Sequence, residues 1–178
     1  MALNLVRRLV KGTALTAAEH DANLTTLETA IEAQLVRGQA SKMTTGTISI
    51  GAQGVYQTTG LIATFDSSTA FGMTLGTTNT FAVKNTSGST RLMQIYGSID
   101  AADGNNQTLG IKLAKNGVAI DETECRAFTG SGGQEAKLVT NWIISMANND
   151  EVALFIANIT SGVDIELRRA RLVAVEVR

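Results

Sequence analysis

The sequence predicts a mainly β protein, a β-sandwich or jelly roll, preceded by one N-terminal amphipathic α-helix. The first observation is composition. The 178 residues include 17 glycines and no proline, with 44% apolar and 17% charged residues, which is typical of a folded, turn-rich chain. The second is a series of short alternating segments separated by turn residues. The third is a single stretch with helical spacing near the start of the chain.

The helical stretch is "GTALTAAEHDANLTTLETAIEAQL", residues 12–35. Thr16 and Glu19 have the spacing of a capping box, which predicts the helix start, and Gly38 is the predicted stop, followed by the polar linker "QASKMTTG". Spacings of three and four residues predict one apolar stripe, formed by Leu24, Leu27, Ile31 and Leu35. An isolated helix of this length is marginal in water. The stripe therefore packs against copies of itself, against the β domain or against another protein.

Two regions follow from this pattern: an N-terminal arm and helix over residues 1–43, and a β domain over residues 44–178. Residues 2–11 of the arm mix apolar and basic side chains. This is the pattern of a docking peptide, and a frayed terminus explains it equally well. The arm lacks the apolar core and cleavage site of a signal peptide. We therefore expect a soluble chain that is made in a cytoplasm and is not inserted into a membrane.

The β domain contains alternating segments of strand length. They occupy residues 60–65, 80–85, 90–101, 107–117, 118–128, 135–146, 151–159, 163–169 and 170–177. Asn116-Gly117 is the strongest hairpin signal and predicts a type I′ turn. So many short strands with turns at this spacing predict a sandwich or jelly roll.

Two of these strands are apolar on both faces. In 136–146, Leu138, Trp142 and Ile144 share one face, while Val139 and Ile143 lie on the other. In 152–157, apolar side chains alternate with Ala153, Phe155 and Ala157. A sandwich buries only one face of each sheet, so the second face predicts a contact with another copy of the subunit. The candidate residues for subunit or attachment contacts are Leu24, Leu27, Ile31, Leu35, Val139, Ile143 and Phe155.

Nothing in the sequence predicts catalysis. His20 is the only histidine and lies in the predicted helix, and Cys125, the only cysteine, is interpreted as a small buried hydrophobe. We predict no cofactor and no metal site. The net charge of −1 gives no general attraction to nucleic acid. The basic cluster "LRRAR", residues 167–171, is interpreted as a solvated turn between two strands or as an intersubunit ion pair.

Two parts of the chain resemble bacteriophage virion proteins. "LTAAEHDANLTTLETAI" (15–31) resembles a segment near the start of phage tail-fibre proteins. "LMQIYGSIDAADGNNQTLGIKLAKNGVAI" (92–120) and "NNDEVALFIANITSGVDIELRRARLVAVEV" (148–177) resemble the trimeric TNF/C1q-like jelly-roll knobs of phage fibres and head-decoration proteins. The resemblance implies a non-enzymatic homotrimer displayed on a virion.

Beside a carbohydrate-active or ligand-binding jelly roll outside any virion, the sequence leaves two virion functions open. One is a tail-fibre knob that binds a host cell-surface receptor, and the other is a capsid decoration, cement or head-fibre protein. In both, residues 1–43 attach the trimer to other virion proteins.

Overall fold

A computed structural model of the chain describes residues 16–32, 36–68, 70–78, 81–102 and 106–177, with the backbone alone for residues 28–32. The chain divides into two compact units, one ending at Leu35 and one beginning at Val36. The docking segment predicted over residues 2–11 lies outside the described residues.

The first unit contains helix α1 (Ala17–Glu32). The predicted capping box is confirmed: the Thr16 N–H donates to Glu19 Oε2 at 2.8 Å, and the Glu19 N–H donates to Thr16 Oγ1 at 3.3 Å. These two bonds satisfy backbone donors that a helix start leaves unpaired. The helix ends at Glu32, before the stop predicted at Gly38.

The second unit is built from antiparallel strands. In chain order these are β1 (Arg37–Lys42), β2 (Gly46–Ile48), β3 (Gln57–Thr58), β4 (Thr64–Phe65), β5 (Met73–Leu75), β6 (Ala82–Asn85), β7 (Arg91–Ala102), β8 (Thr108–Lys115), β9 (Val118–Ala119), β10 (Cys125–Phe128), β11 (Ala136–Met146), β12 (Glu151–Asn158) and β13 (Ile165–Glu176). A short 3-10 turn, Asp121–Thr123, connects β9 to β10.

The strands form two sheets that face each other as a sandwich. Sheet A has the order β11-β7-β13-β1-β4, with β2 also paired to β13. Sheet B has the order β10-β8-β12-β6-β5, with β3 paired to β12 and β9 to β8. The chain stays within one sheet from β1 to β2, from β5 to β6 and from β8 through β10, and it crosses between the sheets at each of the other connections. The predicted sandwich is therefore confirmed.

The core lies between the sheets and follows the period-two alternation of the strands. Leu109, Ile111 and Leu113 of β8 are fully buried, as their alternation predicts. Other fully buried side chains from both sheets are Phe81, Ile48, Met93, Ile95, Ile99, Leu138, Leu154 and Ile156. The Asn116-Gly117 turn is confirmed as well: both residues have positive φ, 50° and 83°, the pattern of a type I′ hairpin.

The linker predicted after the helix is wrong, because Arg37–Lys42 forms β1 in the middle of sheet A. Its inward positions are Gly38 and Ala40, which carry little apolar side chain and so give no strand signal in the sequence. The space is tight: a Cβ on Gly38 would lie 2.8 Å from Met73 Cβ and 3.3 Å from the Phe65 ring. The boundary between the two units consequently lies before Val36 rather than at residue 44.

The segments predicted as separate strands over 163–169 and 170–177 form one strand, β13. A register shift between Leu167 and Arg169 marks a β-bulge at Arg168, which adds one residue to the strand without ending it. The "LRRAR" cluster is therefore part of a strand, and its interpretation as a solvated turn is wrong.

Candidate oligomer interface on sheet A

The outward face of sheet A carries a contiguous set of exposed apolar side chains. Alternation along β7, β11 and β13 turns their buried residues inward and leaves the intervening ones outward. We name six of the outward residues the sheet A patch: Leu92, Tyr96, Val139, Ile143, Val173 and Val175.

Strand register makes these residues neighbours. Tyr96 on the central strand pairs with Asn141 of β11 on one side and with Val173 of β13 on the other. Gln94, the next outward residue, pairs with Ile143 and Val175 in the same way. Side chains opposite each other in an antiparallel pair lie about 5 Å apart. Tyr96 also lies diagonally opposite Val139, Ile143 and Val175, a separation of about 7–8 Å that an aromatic ring can reach. The patch thus spans three strands, with polar side chains interleaved among its apolar ones.

The exposure of the sheet A patch is high for apolar side chains. The exposed fractions are Leu92 49%, Tyr96 41%, Val139 46%, Ile143 52% and Val175 43%, while Val173 is half-buried. Single exposed apolar residues are normal on a protein surface, whereas a continuous patch of this kind marks an interaction site.

The same face becomes polar and basic toward the start of β13. Arg169 Nε lies 3.3 Å from Asp100 Oδ2, while Arg171 is exposed opposite Ser98. A shallow cavity of about 230 Å³ opens here. Its lining residues, which we name the basic depression, are Met43, Tyr96, Ser98, Asp100, Arg169, Ala170 and Arg171.

A second exposed apolar surface lies at the edge of the sandwich. Trp142 has the inward parity of Leu138 and Ile144, yet it is 43% exposed. It lies on β11, the edge strand of sheet A. Next to it, the Thr140 hydroxyl donates to the Thr123 carbonyl at 2.6 Å. This bond ties β11 to the 3-10 turn Asp121–Thr123. Trp142 and this turn together form what we name the sandwich edge.

The outward face of sheet B is different, because the chain covers part of it itself. Phe155 is only 7% exposed and packs with Ala82, Ala114 and Ala153, with Tyr56 against the cluster. The alanine side chains are too short to cover Phe155 by themselves. Tyr56, which is remote in sequence, completes the cover on this face of sheet B. Phe155 therefore lies inside its own subunit and is unavailable for a subunit contact.

Tyr56 is held over sheet B by charged side chains. Its hydroxyl donates to Glu124, which also accepts from Arg126 Nε at 2.6 Å. Lys112 Nζ lies 4.2 Å from the centre of the tyrosine ring, a distance typical of a cation–π contact. Burial and the bond to Glu124 raise the pKa of Tyr56, and the bonds from Arg126 and Tyr56 lower the pKa of Glu124.

The structure places three of the seven candidate residues on or beneath these surfaces. Val139 and Ile143 belong to the sheet A patch, and Phe155 does not. On the helix, Leu24 and Leu27 are 48% and 41% exposed. The Ile31 side chain and Leu35 lie outside the described residues. The sequence interpretation missed Leu92, Tyr96, Val173 and Val175, although their alternation with buried neighbours in β7 and β13 is a usable signal.

The described residues offer no grouping suited to catalysis by a metal. Within them no cluster of three or more His, Cys, Asp or Glu side chains is arranged to hold an ion. His20 is exposed on α1, and Cys125 is partly buried against the core. In the same ranges, no helix combines the length and apolar character that crossing a membrane requires.

Comparison with solved structures identifies the fold. The structure of Eiger TNF from S. frugiperda matches 81% of this chain and 93% of its own, with a TM-score of 0.57 at 12% identity. The fold is a TNF-like jelly roll. Murine APRIL matches 80% of this chain and 99% of its own at pH 8.5 (TM-score 0.52, 9% identity), and 79% and 99% at pH 5.0 (TM-score 0.51, 10% identity). No protein-family model and no curated protein sequence matches the chain.

Proposed function

We propose that this protein is a non-enzymatic bacteriophage virion protein whose jelly roll forms a homotrimeric knob through sheet A. The observation that carries the proposal is the sheet A patch, a group of exposed apolar side chains that spans three strands. The resemblance of the jelly roll to trimeric phage knobs supports three subunits, and the resemblance of residues 15–31 to tail-fibre segments supports the virion.

A closed ring of three subunits needs two different surfaces on each subunit, because its interface is heterologous. The sheet A patch supplies one surface, and the sandwich edge with Trp142 supplies the other. Aromatic side chains are enriched in the buried centre of interfaces. In this arrangement Trp142 of one subunit covers the patch of the next.

The energy available from the patch is substantial. Fully burying a large aliphatic side chain contributes about 1.5–3 kcal/mol. Leu92, Val139, Ile143 and Val175 are each about half exposed, so covering the remainder contributes about 1 kcal/mol for each. Tyr96 and Trp142 add larger apolar areas. Each of the three interfaces gains this amount.

Attachment to the particle is assigned to residues 1–35, because the rest of the predicted arm lies in the jelly-roll unit, where Arg37–Lys42 forms β1. In the described part of this arm, the capped helix α1 exposes Leu24 and Leu27, which need an apolar partner. That partner is either the same helix in the other two subunits or a second virion protein. Between the tail and the capsid shell we favour the tail, because the resemblance of residues 15–31 is to tail-fibre proteins. A knob in that position is suited to binding a host cell-surface receptor.

One substitution tests the interface. We expect Ile143→Glu to convert the trimer to a monomer, because each interface would bury an unpaired carboxylate. Light scattering behind a sizing column measures the mass, and circular dichroism checks that the strand content is kept. The matched control is Val55→Glu, which alters an equally exposed residue (52%) on the segment leading to Tyr56 and should leave the mass unchanged. A trimeric Ile143→Glu variant would contradict the interface.

Gold-labelled antibodies on purified particles test the location. Label on the tail supports the fibre reading, and label on the shell supports the capsid decoration or head-fibre alternative. Label absent from intact particles would overturn the virion function altogether.

A further inference from the structure

We propose that the acidic 3-10 turn of one subunit inserts into the basic depression of its neighbour, where Glu122 pairs with Arg171. This inference rests on the proposed homotrimer and names the contact that fixes the rotational position of one subunit against the next. The occupant of the depression is thus a defined segment of a second copy of the chain.

Arg171 and Glu122 are the charged residues of the two surfaces that have no partner within the described part of their own subunit. In the depression, Arg169 is already paired with Asp100, 3.3 Å away. In the turn, Asp121 is already paired with Lys112, whose Nζ lies 2.8 Å from Asp121 Oδ1. Among the described residues, neither Arg171 nor Glu122 has a hydrogen bond or ion pair in its own subunit, and both are exposed.

The two surfaces lie at the same height along the strands. The turn is fixed to β11 by the Thr140–Thr123 hydrogen bond of 2.6 Å. Thr140 pairs with Gly97 of β7, and Gly97 pairs with Leu172 of β13, the neighbour of Arg171. In the proposed trimer the threefold axis runs along the strands of sheet A, and rotation about such an axis leaves every residue at its height. The turn of one subunit then meets the Arg171 level of the next.

The same rotation also covers the exposed apolar side chains of the sheet A patch. Trp142 pairs with Ile95, so it lies between the levels of Gln94 and Tyr96 on the outward face. One docking movement therefore brings Trp142 onto Tyr96 and Val173 and brings Glu122 to Arg171.

The depression has room for the incoming carboxylate. Its volume of about 230 Å³ is many times the roughly 10–15 Å³ that a cavity needs to hold one water. Ser98 offers a hydroxyl beside Arg171. A Glu side chain that displaces water here gains a charge-assisted hydrogen bond from the guanidinium.

Charge reversal tests the insertion in the full-length protein. The variants are Arg171→Glu, Glu122→Arg and the double variant that carries both, which exchanges the two charges. Light scattering over a dilution series gives the concentration at which half of the chains are trimeric. We expect each single reversal to raise this concentration at least ~10-fold, because like charges then meet in all three interfaces. The double variant should recover most of the loss.

Glu135→Gln is the control. It removes another exposed carboxylate, outside the sandwich edge, whose ion pair with Arg168 is long at 3.8 Å, and it should leave the concentration unchanged. Added salt should weaken the wild-type trimer, since it screens a partly exposed pair.

The outcomes separate this inference from the proposal on which it rests. Single variants that trimerise like the wild type, or a double variant without recovery, would overturn the insertion while the trimer stands. A wild-type protein that is monomeric throughout the series would overturn the trimer itself, and the insertion with it.

Discussion

Replacing Glu151 by glutamine should destabilise the β domain measurably, although Glu151 belongs neither to the sheet A patch nor to the basic depression or the sandwich edge. Glu151 begins β12 and is only 4% exposed. Its Oε1 accepts from the Thr77 N–H at 2.8 Å and the Thr77 hydroxyl at 2.7 Å, and its Oε2 accepts from the Thr78 N–H at 3.1 Å. One carboxylate thus holds the loop that follows β5.

The size of the destabilisation follows from the hydrogen bonds that the glutamine amide can and cannot make. Glutamine keeps one oxygen for Thr77, but its NH₂ faces the Thr78 N–H, so two donors meet in a buried place. Losing a hydrogen bond to a charged group and leaving a donor unsatisfied costs about 2–3 kcal/mol. For a protein of this size, we expect the melting temperature to fall by roughly 4–12 °C. Glu135→Gln, at an exposed position, should stay within about 0.5 kcal/mol of the wild type.

The pH dependence gives a second readout. Burial by itself would raise the pKa of Glu151, but the hydrogen bonds from Thr77 and Thr78 and the charge of Lys84 outweigh it and hold the pKa below its ordinary value. A depressed folded-state pKa stabilises the protein above the unfolded-state pKa, about 4.3, and this contribution is lost as the pH falls through the folded-state value. The gap between wild type and variant should therefore be complete at pH 7 and close at lower pH.

Urea unfolding at fixed protein concentration, repeated from pH 7 to pH 3, measures this gap. Equal stability at pH 7 would refute the assigned role of the carboxylate. A gap that stays constant down to pH 3 would refute the electrostatic part of the argument.

Two further substitutions test how the chain covers sheet B. Gly110→Ala should cost about 1–3 kcal/mol, because its Cβ would lie 3.0 Å from Tyr56 Cζ and displace the ring; Gly51→Ala, whose Cβ would meet only Gln57 Oε1 at 3.7 Å, is the control in a thermal melt. Phe155→Ala should cost about 3–5 kcal/mol and leave the oligomer intact at temperatures where the protein is folded. A Phe155→Ala protein that melts like the wild type but loses its oligomer would show that Phe155 contacts another subunit.

Features with local causes could be predicted from the sequence. The capping box depends on two residues three positions apart, and the Asn116-Gly117 turn depends on two adjacent residues that tolerate positive φ. The alternation of Leu109, Ile111 and Leu113 sufficed for the inward face of β8.

Features that depend on distant packing could not be predicted in this way. Strand β1 has glycine and alanine at its inward positions. The strand is therefore recognised only from its packing against Met73 and Phe65. The cover over Phe155 comes from Tyr56, which is remote in sequence. The double apolar face of β12 was a correct observation, and the error was to assign its cover to another subunit.

The candidate interface could be predicted from the sequence only in part. Val139 and Ile143 stood out because β11 has apolar residues on both faces. Tyr96 and Val173 join them only through the register of three strands, two of them far apart in sequence. The sequence pattern placed Arg171 in a turn, whereas in the structure β13 continues through the bulge at Arg168 and includes Arg171. Register is a long-range property, and one strand's alternation does not contain it.

The first measurement is the solution mass of the full-length protein, by light scattering over a range of concentrations. We expect three times the chain mass of 18.7 kDa, falling to one chain for Ile143→Glu and not for Val55→Glu. A wild-type protein that remains at the mass of one chain at every concentration would leave the sheet A patch uncovered, and would contradict the homotrimer.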